Sequence, residues 1–66
     1  MQIHLNGIPT QVMEPCTLAD LIATLDLAGR RLAVEVNEEL VPRSRFGEQA
    51  LAPGDRVEII HAVGGG

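Results

Sequence analysis

The dipeptide Asn6-Gly7 limits the possible folds of this 66-residue chain more than any other feature. It separates two segments, residues 1–5 and 8–12, in which apolar and polar residues alternate as in a half-buried β-strand. Asn-Gly is strongly favoured in the two-residue type I′ turn that joins antiparallel strands. The sequence therefore predicts an N-terminal β-hairpin, which the remaining residues must extend into a sheet.

The two-residue turn also determines which side chains face each other across the hairpin. Leu5 is expected opposite Ile8, Ile3 opposite Thr10 and Met1 opposite Val12, with all six side chains on the core face. The other face would carry Gln2, His4, Pro9 and Gln11. Since Pro9 has no N–H to donate, the second strand is predicted to lie at an edge of the sheet.

A short amphipathic helix is predicted after the hairpin. Thr17 has the pattern of a helix N-cap, and Asp20, three residues later, is its expected capping-box partner. Apolar residues follow at the helical spacing i, i+3, i+4, i+7: Leu18, Leu21, Ile22 and Leu25. Gly29 is expected to mark the end of the helix. A helix with one apolar stripe must pack on a sheet.

Two short strands are predicted after the helix. Residues 32–36 alternate and have one apolar face, and residues 40–41 form a shorter segment that a proline ends. Residues 37–39 are polar and predict the turn between these strands. A loop or single turn is expected over residues 43–49, with Phe46 as the side chain that fills the core beneath it.

The last predicted strand covers residues 56–63 and follows Pro53-Gly54, a pair typical of a type II turn. With the hairpin at one edge, this strand can lie parallel to the first strand, at the centre of a mixed sheet with one helix on one face. This α+β arrangement is the ubiquitin-like β-grasp fold. We expect the domain to occupy residues 1–63, followed by a flexible glycine tail at residues 64–66.

Composition argues against several classes of function. A net charge of −4 gives no electrostatic attraction to nucleic acids or anionic membranes, and the single aromatic residue leaves no ring surface for stacking on bases. One cysteine permits neither an internal disulfide nor a multi-cysteine metal site. The start has no signal-peptide pattern and no stretch is apolar enough to span a membrane, so a cytoplasmic protein is expected. With no nucleophile–base pair apparent, we do not expect an enzyme.

Several stretches together are similar to the ThiS family, the ubiquitin-like sulfur carrier proteins of thiamine biosynthesis. They are Met1-Gln2-Ile3, Asn6-Gly7, residues 17–21, residues 36–43, Gly54-Asp55 and Val63-Gly64-Gly65-Gly66. The segment 37–43 and the glycine end are the specific parts, whereas Gly54-Asp55 is a common turn. The resemblance covers the whole chain.

This resemblance implies that the chain is a recycled co-substrate, with no catalytic side chain and no bound cofactor. An E1-like adenylyltransferase similar to ThiF would use ATP and Mg²⁺ to adenylate the carboxylate of Gly66. A sulfur donor such as a cysteine desulfurase would then convert it to a thiocarboxylate, which a thiazole synthase similar to ThiG would use. Gly64 and Gly65 would thread into a channel of the partner too narrow for side chains.

Ile60 is the remaining candidate site residue. By the alternation of the last strand, its side chain is expected on the helix-free face of the sheet, beside the base of the tail. An isolated exposed isoleucine needs no functional explanation. In this position it could also anchor a partner that grips the tail, and we interpret it as a candidate partner contact.

Five other residues are weaker candidates. Cys16 precedes a helix N-terminus, a position that can lower a thiol pKa, but it has no His or second Cys near it and is interpreted as incidental. His4 and His61 lack further ligands at metal-binding spacing, so no metal site is expected. Arg43 and Arg45 fit a role in binding a partner's carboxylates and a role as solvated loop residues equally well.

Other functions stay open from the sequence. A sulfur carrier of the molybdopterin-synthase small-subunit type, or a ubiquitin-like protein modifier, would share this fold and tail. A plain interaction domain whose glycine end has no role is a further alternative. A thiocarboxylate formed with ATP, conjugates to other proteins in cells, or normal function without the tail would distinguish these classes.

Overall fold

A computed structural model describes residues 1–61, and within them the predicted β-grasp architecture is confirmed. The elements are β1 (Gln2–Leu5), β2 (Ile8–Gln11), α1 (Leu18–Thr24), β3 (Leu32–Val36), β4 (Glu39–Val41), a 3₁₀ turn (Arg43–Arg45) and β5 (Arg56–His61). The strands form one mixed sheet in the order β2-β1-β5-β3-β4. β5 is central, parallel to β1 and antiparallel to β3.

The N-terminal hairpin has the predicted turn and register. Asn6 and Gly7 have φ of 50° and 83°, the positive values that a type I′ turn requires. Leu5 lies opposite Ile8. Met1 and Val12 exchange backbone hydrogen bonds of 2.8 and 2.9 Å. β2, which contains Pro9, lies at the edge of the sheet as predicted.

The expectation that Ile8 lies in the core is wrong. Ile3 is fully buried and Leu5 is half-buried against the core, but the Ile8 side chain is 65% exposed. Ile8 is on an edge strand directly after the turn, so a neighbouring strand covers it on one side only. Leu5, the residue opposite, is itself only half-buried, and this corner of the sheet therefore lies outside the core.

Helix α1 begins as predicted. The Thr17 hydroxyl accepts a hydrogen bond from the Asp20 N–H at 3.1 Å, and the Asp20 carboxylate accepts one from the Thr17 N–H at 2.9 Å. This reciprocal capping box satisfies two N–H groups that would otherwise lack partners at the helix start. Leu18, Leu21 and Ile22 point into the core.

Helix α1 ends at Thr24, earlier than the end predicted from Gly29. Asp26 adopts the left-handed conformation with φ of 61°, and its N–H donates to the Ala23 carbonyl at 3.0 Å. The Leu27 N–H donates to the Ile22 carbonyl at 3.0 Å, which completes a Schellman motif. Gly29 instead lies in the following turn, because aspartate here occupies the position that glycine usually takes.

The β3–β4 connection is a second two-residue turn. Asn37 and Glu38 have φ of 53° and 71°, and Glu39 pairs with Val36. The predicted three-residue turn over 37–39 is therefore one residue too long, and β4 begins at Glu39. The sequence gives little signal for this, since a left-handed glutamate is uncommon.

The core lies between α1 and one face of the sheet. Its buried members are Ile3, Cys16, Leu18, Leu21, Ile22, Val34, Val36, Val41, Phe46, Leu51, Val57 and Ile59. Phe46 fills the core beneath its loop as predicted, and the turn at Pro53-Gly54 is closed by an Asp55 N–H to Ala52 carbonyl bond of 3.1 Å. Among residues 1–61, no helix is both long and apolar enough to cross a membrane.

Candidate functional site

The described chain ends at His61, the last residue of the central strand β5. On one edge of β5, β3 pairs with every residue from Val57 to His61. The end of the predicted strand at residues 62–63 and the tail residues Gly64, Gly65 and Gly66 lie outside the described residues. Threading by Gly64 and Gly65 and reaction at Gly66 therefore stay predictions.

Asn6 holds the other edge of β5. Its backbone N–H donates to the Val57 carbonyl at 2.8 Å. Its side chain accepts a hydrogen bond from the Ile59 N–H at 2.8 Å and donates to the Ile59 carbonyl at 3.4 Å. We predicted only the turn at Asn6, and its bond to a residue 53 positions away in the chain was missed.

Asn37 makes an equivalent contact at the start of β5. Its side-chain oxygen accepts a hydrogen bond from the Arg56 N–H at 2.9 Å, and its amide donates to the Asp55 carboxylate at 3.0 Å. Both asparagines stand first in a two-residue hairpin turn, on strands that flank β5. The sequence did not reveal either contact, because the two-residue turn at Asn37 was not predicted and the bond between Asn6 and Ile59 depends on the register of β1 and β5.

Ile60 lies on the helix-free face of the sheet, as predicted. Its side chain is 59% exposed, and across the sheet it pairs with Ala33 of β3. Leu40 of β4, which pairs with Glu35, is 68% exposed. Leu40 is separated from Ile60 by Glu35 and Glu58 on the same face, so Ile60 is the large exposed apolar residue nearest the end of β5 in the described part of the chain. A partner contact through Ile60 stays a prediction.

Cys16 is buried rather than poised for reaction. Its thiol donates a weak hydrogen bond to the Thr17 carbonyl, with an S···O distance of 3.4 Å. Burial raises the pKa of the Cys16 thiol, the Asp20 carboxylate raises it further, and the N-terminal ammonium opposes this in part. The lowering of the pKa considered for this position does not occur. A buried thiol with a raised pKa is a poor nucleophile, which favours the incidental role.

The two histidines are placed separately in the sheet. His4 pairs with Arg56 at the start of β5, and His61 pairs with Leu32 at its end. Within residues 1–61, no group of three or more His, Cys, Asp or Glu side chains is close enough to hold a metal ion.

Arg43 has a partner within the chain. Its guanidinium donates to the backbone carbonyl of Arg30, which ties the 3₁₀ turn to the loop after the helix. Arg43 thus has a role inside the fold, whereas a contact between Arg45, which is exposed, and a partner stays a prediction.

Comparison with known proteins gives a consistent picture of this chain. The ThiS family model matches residues 3–66, a range that includes the glycine end. The sulfur carrier protein ThiS of Bacillus subtilis is 40% identical over 50 residues, which cover 76% of each protein. A thiazole synthase of Magnetococcus marinus is 39% identical over all 66 residues, but this chain spans only 20% of that protein's length.

A solved structure has the same fold. The crystal structure of the thiamine biosynthesis protein ThiS from Geobacter metallireducens superimposes with a TM-score of 0.85 at 32% sequence identity. The match covers 100% of both chains. The likeness therefore extends over the whole domain and not only over the hairpin or the helix.

Proposed function

We propose that this chain, which belongs to the ThiS family, carries a sulfur atom for thiamine biosynthesis as a thiocarboxylate on Gly66. The family consists of small sulfur carrier proteins, so the chain is a carrier and not a catalyst. The observation that carries the proposal is the family match, which runs through Gly64 and Gly65 to Gly66. It favours the thiamine pathway over the molybdopterin-type carrier and the protein modifier.

The chemistry requires an activating partner. A carboxylate is a poor electrophile, because its charge is delocalised and oxide is a poor leaving group. An E1-like adenylyltransferase would join the Gly66 carboxylate to the AMP portion of ATP and release pyrophosphate, with Mg²⁺ bound by that enzyme. Sulfide would then attack the carbonyl, expel AMP and leave the thiocarboxylate directly. If the donor is the persulfide of a cysteine desulfurase, its outer sulfur would form an acyl disulfide, and a second thiol would release the thiocarboxylate by forming a disulfide with the donor's cysteine sulfur. The thiocarboxylate left on Gly66 is nucleophilic.

A thiazole synthase is the proposed acceptor of the sulfur. Proteins named thiazole synthase in two organisms contain a stretch similar to the whole of this chain, although it makes up only 20% of each. That similarity supports a functional link between this chain and a thiazole synthase. We expect the E1-like adenylyltransferase, the thiazole synthase and this chain to meet in the cytoplasm.

The domain serves to present the glycine end. β5 is hydrogen-bonded on both edges within the described part of the chain, which provides a firm base. Gly64 and Gly65 would supply the reach, since residues without side chains fit a channel narrow enough to exclude water from the acyl-adenylate. Ile60, exposed on the adjacent sheet face, would contact the partner.

Intact-mass analysis tests this function. The chain is incubated with ATP, Mg²⁺, a ThiF-like enzyme and a sulfur donor, and a second sample omits ATP. We expect the mass gain of one oxygen replaced by sulfur only when ATP is present, and none after deletion of Gly66. Covalent conjugates to other proteins in place of this gain would indicate a modifier. No change in any sample would leave a plain interaction domain and contradict the proposal.

A further inference from the structure

The structure assigns Asn6 a role beyond its turn: we propose that it is a positioning residue that fixes the end of β5, and through it the delivery of Gly66 to the partner. The inference rests on the proposed function. Its basis is that one side-chain amide contacts both backbone groups of Ile59, at 2.8 Å to the N–H and 3.4 Å to the carbonyl. Ile59 precedes Gly66 by seven residues in the sequence.

The Asn6 side chain supplies the hydrogen bond that would come next in the parallel pairing of β1 and β5. Parallel pairing continues as far as the Asn6 N–H, which donates to the Val57 carbonyl at 2.8 Å. The next evenly spaced bond would join the Ile59 N–H to the backbone carbonyl of Asn6. At φ of 50° Asn6 has already left the extended conformation, and its side-chain oxygen accepts that hydrogen bond instead.

The contact lies where β5 has least support. β1 ends at Leu5, whereas β3 continues beside β5 as far as His61. Within the residues described, the stretch from Ile59 to His61 is paired along its whole length on the β3 side and held by Asn6 on the β1 side. A strand end held along one edge only can twist about that edge. Loss of the Asn6 amide would therefore widen the range of directions in which β5 points.

Such a change matters for a positioned reaction. A misplacement of about 1 Å at a reacting group can cost about a hundredfold in rate. A change of direction at Ile59 shifts the end of β5, from which the chain continues to Gly66. The loss should appear in kcat of the activating enzyme, because the exposed sheet face with Ile60 stays available for docking and KM depends mainly on that docking.

Asn37 provides a matched control. It has φ of 53°, stands at the same position of its turn, and accepts a hydrogen bond from the Arg56 N–H at 2.9 Å. Asn37 thus holds the first residue of β5, at the end of the strand far from Gly66. Glycine tolerates the left-handed conformation, so Asn→Gly at either position removes the side-chain bonds without straining the turn.

The experiment measures the rate at which the full-length parent chain and three variants gain sulfur when incubated with ATP, Mg²⁺, a ThiF-like enzyme and sulfide. The variants are Asn6→Gly, Asn37→Gly and Asn6→Asp. We expect Asn6→Gly to lower kcat about tenfold, with KM for the carrier changed by less than about twofold. Asn37→Gly should lower Tm by an amount similar to that of Asn6→Gly, but it should gain sulfur with the same kcat as the parent. Asn6→Asp keeps an acceptor for the Ile59 N–H and should recover most of the kcat.

Equal loading by the two glycine variants would overturn the positioning role, and so would a defect that Asn6→Asp does not relieve. If Asn6→Gly does not fold, hydrogen exchange of the parent tests the positioning role instead. An Ile59 amide that exchanges as fast as an exposed loop amide would overturn that role. A parent chain that gains no sulfur contradicts the proposed function itself, and the positioning role with it. A folded Asn6→Gly that gains sulfur more slowly than Asn37→Gly, while the parent loads, supports both the positioning role and the proposed function.

Discussion

Glu35 of β3 and Glu58 of β5 lie directly opposite each other on two neighbouring strands of the sheet. Both side chains are on the helix-free face, because the residues that alternate with them, Val34 and Val57, are fully buried on the other. Like charges that face each other across a strand pair destabilise a sheet. The two glutamates therefore oppose folding at neutral pH, at a site beside the exposed Ile60.

Replacement of Glu58 by glutamine should stabilise the domain. Glutamine keeps the size and polarity of the side chain and removes the repulsion, so the free energy of unfolding should rise by roughly 0.2–1 kcal/mol. Denaturant unfolding of Glu58→Gln and the parent measures this difference. The gain should shrink at 1 M salt, where the Debye length is about 3 Å. A gain that persists unchanged in high salt would show that repulsion is not its cause.

Ile60→Glu should weaken binding to the E1-like partner by about tenfold or more, as expected when an apolar anchor is lost. The side chain is 59% exposed, so the substitution should leave the free energy of unfolding within about 0.5 kcal/mol of the parent. Calorimetric titration measures the affinity. Ile8→Glu is the matched control, because Ile8 is 65% exposed on the edge strand β2. Equal affinities for parent and Ile60→Glu would remove Ile60 from the interface.

Local patterns predicted most of this fold. Asn6-Gly7 set the hairpin and its register, and Thr17 with Asp20 set the start of the helix. These features depend on residues close in sequence, so propensity and spacing are sufficient to find them. The central, parallel placement of β5 followed from the order of the elements and is also confirmed.

The rest depended on contacts that spacing does not reveal. The helix is ended by a left-handed Asp26, whereas the sequence predicted its end at Gly29. Ile8 is exposed because burial at a strand end depends on what packs there, not on alternation. Asn6 bonds to Ile59, far away in the sequence, and this contact requires the register of a parallel pair. For the site, the exposure of Ile60 was predictable, and the hydrogen bonds between Asn6 and Ile59 were not.

The stability of the helix start should depend on pH through Asp20. Hydrogen bonds from the Thr17 backbone and side chain lower the pKa of the Asp20 carboxyl. A carboxyl with a lower pKa in the folded state stabilises that state above its unfolded pKa of about 3.9, and this contribution is lost as pH falls through the folded pKa. Asp20→Ala should therefore be less stable than the parent at pH 6, and the gap should narrow below about pH 4.

Denaturant unfolding between pH 2 and 7 measures this gap for Asp20. Asp20→Asn is the control, since it keeps a side-chain acceptor and cannot ionise, so its difference from Asp20→Ala should not vary with pH. A parent-to-Ala gap that stays constant across the whole range would show that ionisation of Asp20 does not contribute to stability.

One alanine added after Gly66 tests the central claim most directly, that the Gly66 carboxylate carries the sulfur. The extension would move the carboxylate about 3.5 Å along the proposed channel, and a misplacement of about 1 Å can already cost a positioned reaction about a hundredfold in rate. The added residue would also bring a methyl group into a channel that we propose is shaped for glycine. Residues outside a core contribute little to folding, so thermal stability should be unchanged.

The measurement is the rate of oxygen-to-sulfur mass gain with ATP, Mg²⁺, a ThiF-like enzyme and a sulfur donor, for the parent and for the chain extended after Gly66. The account predicts that the parent gains sulfur and the extended chain does not, while both unfold at the same temperature. If the extended chain gains sulfur as fast as the parent, Gly66 is not the reacting residue and the carrier account is contradicted.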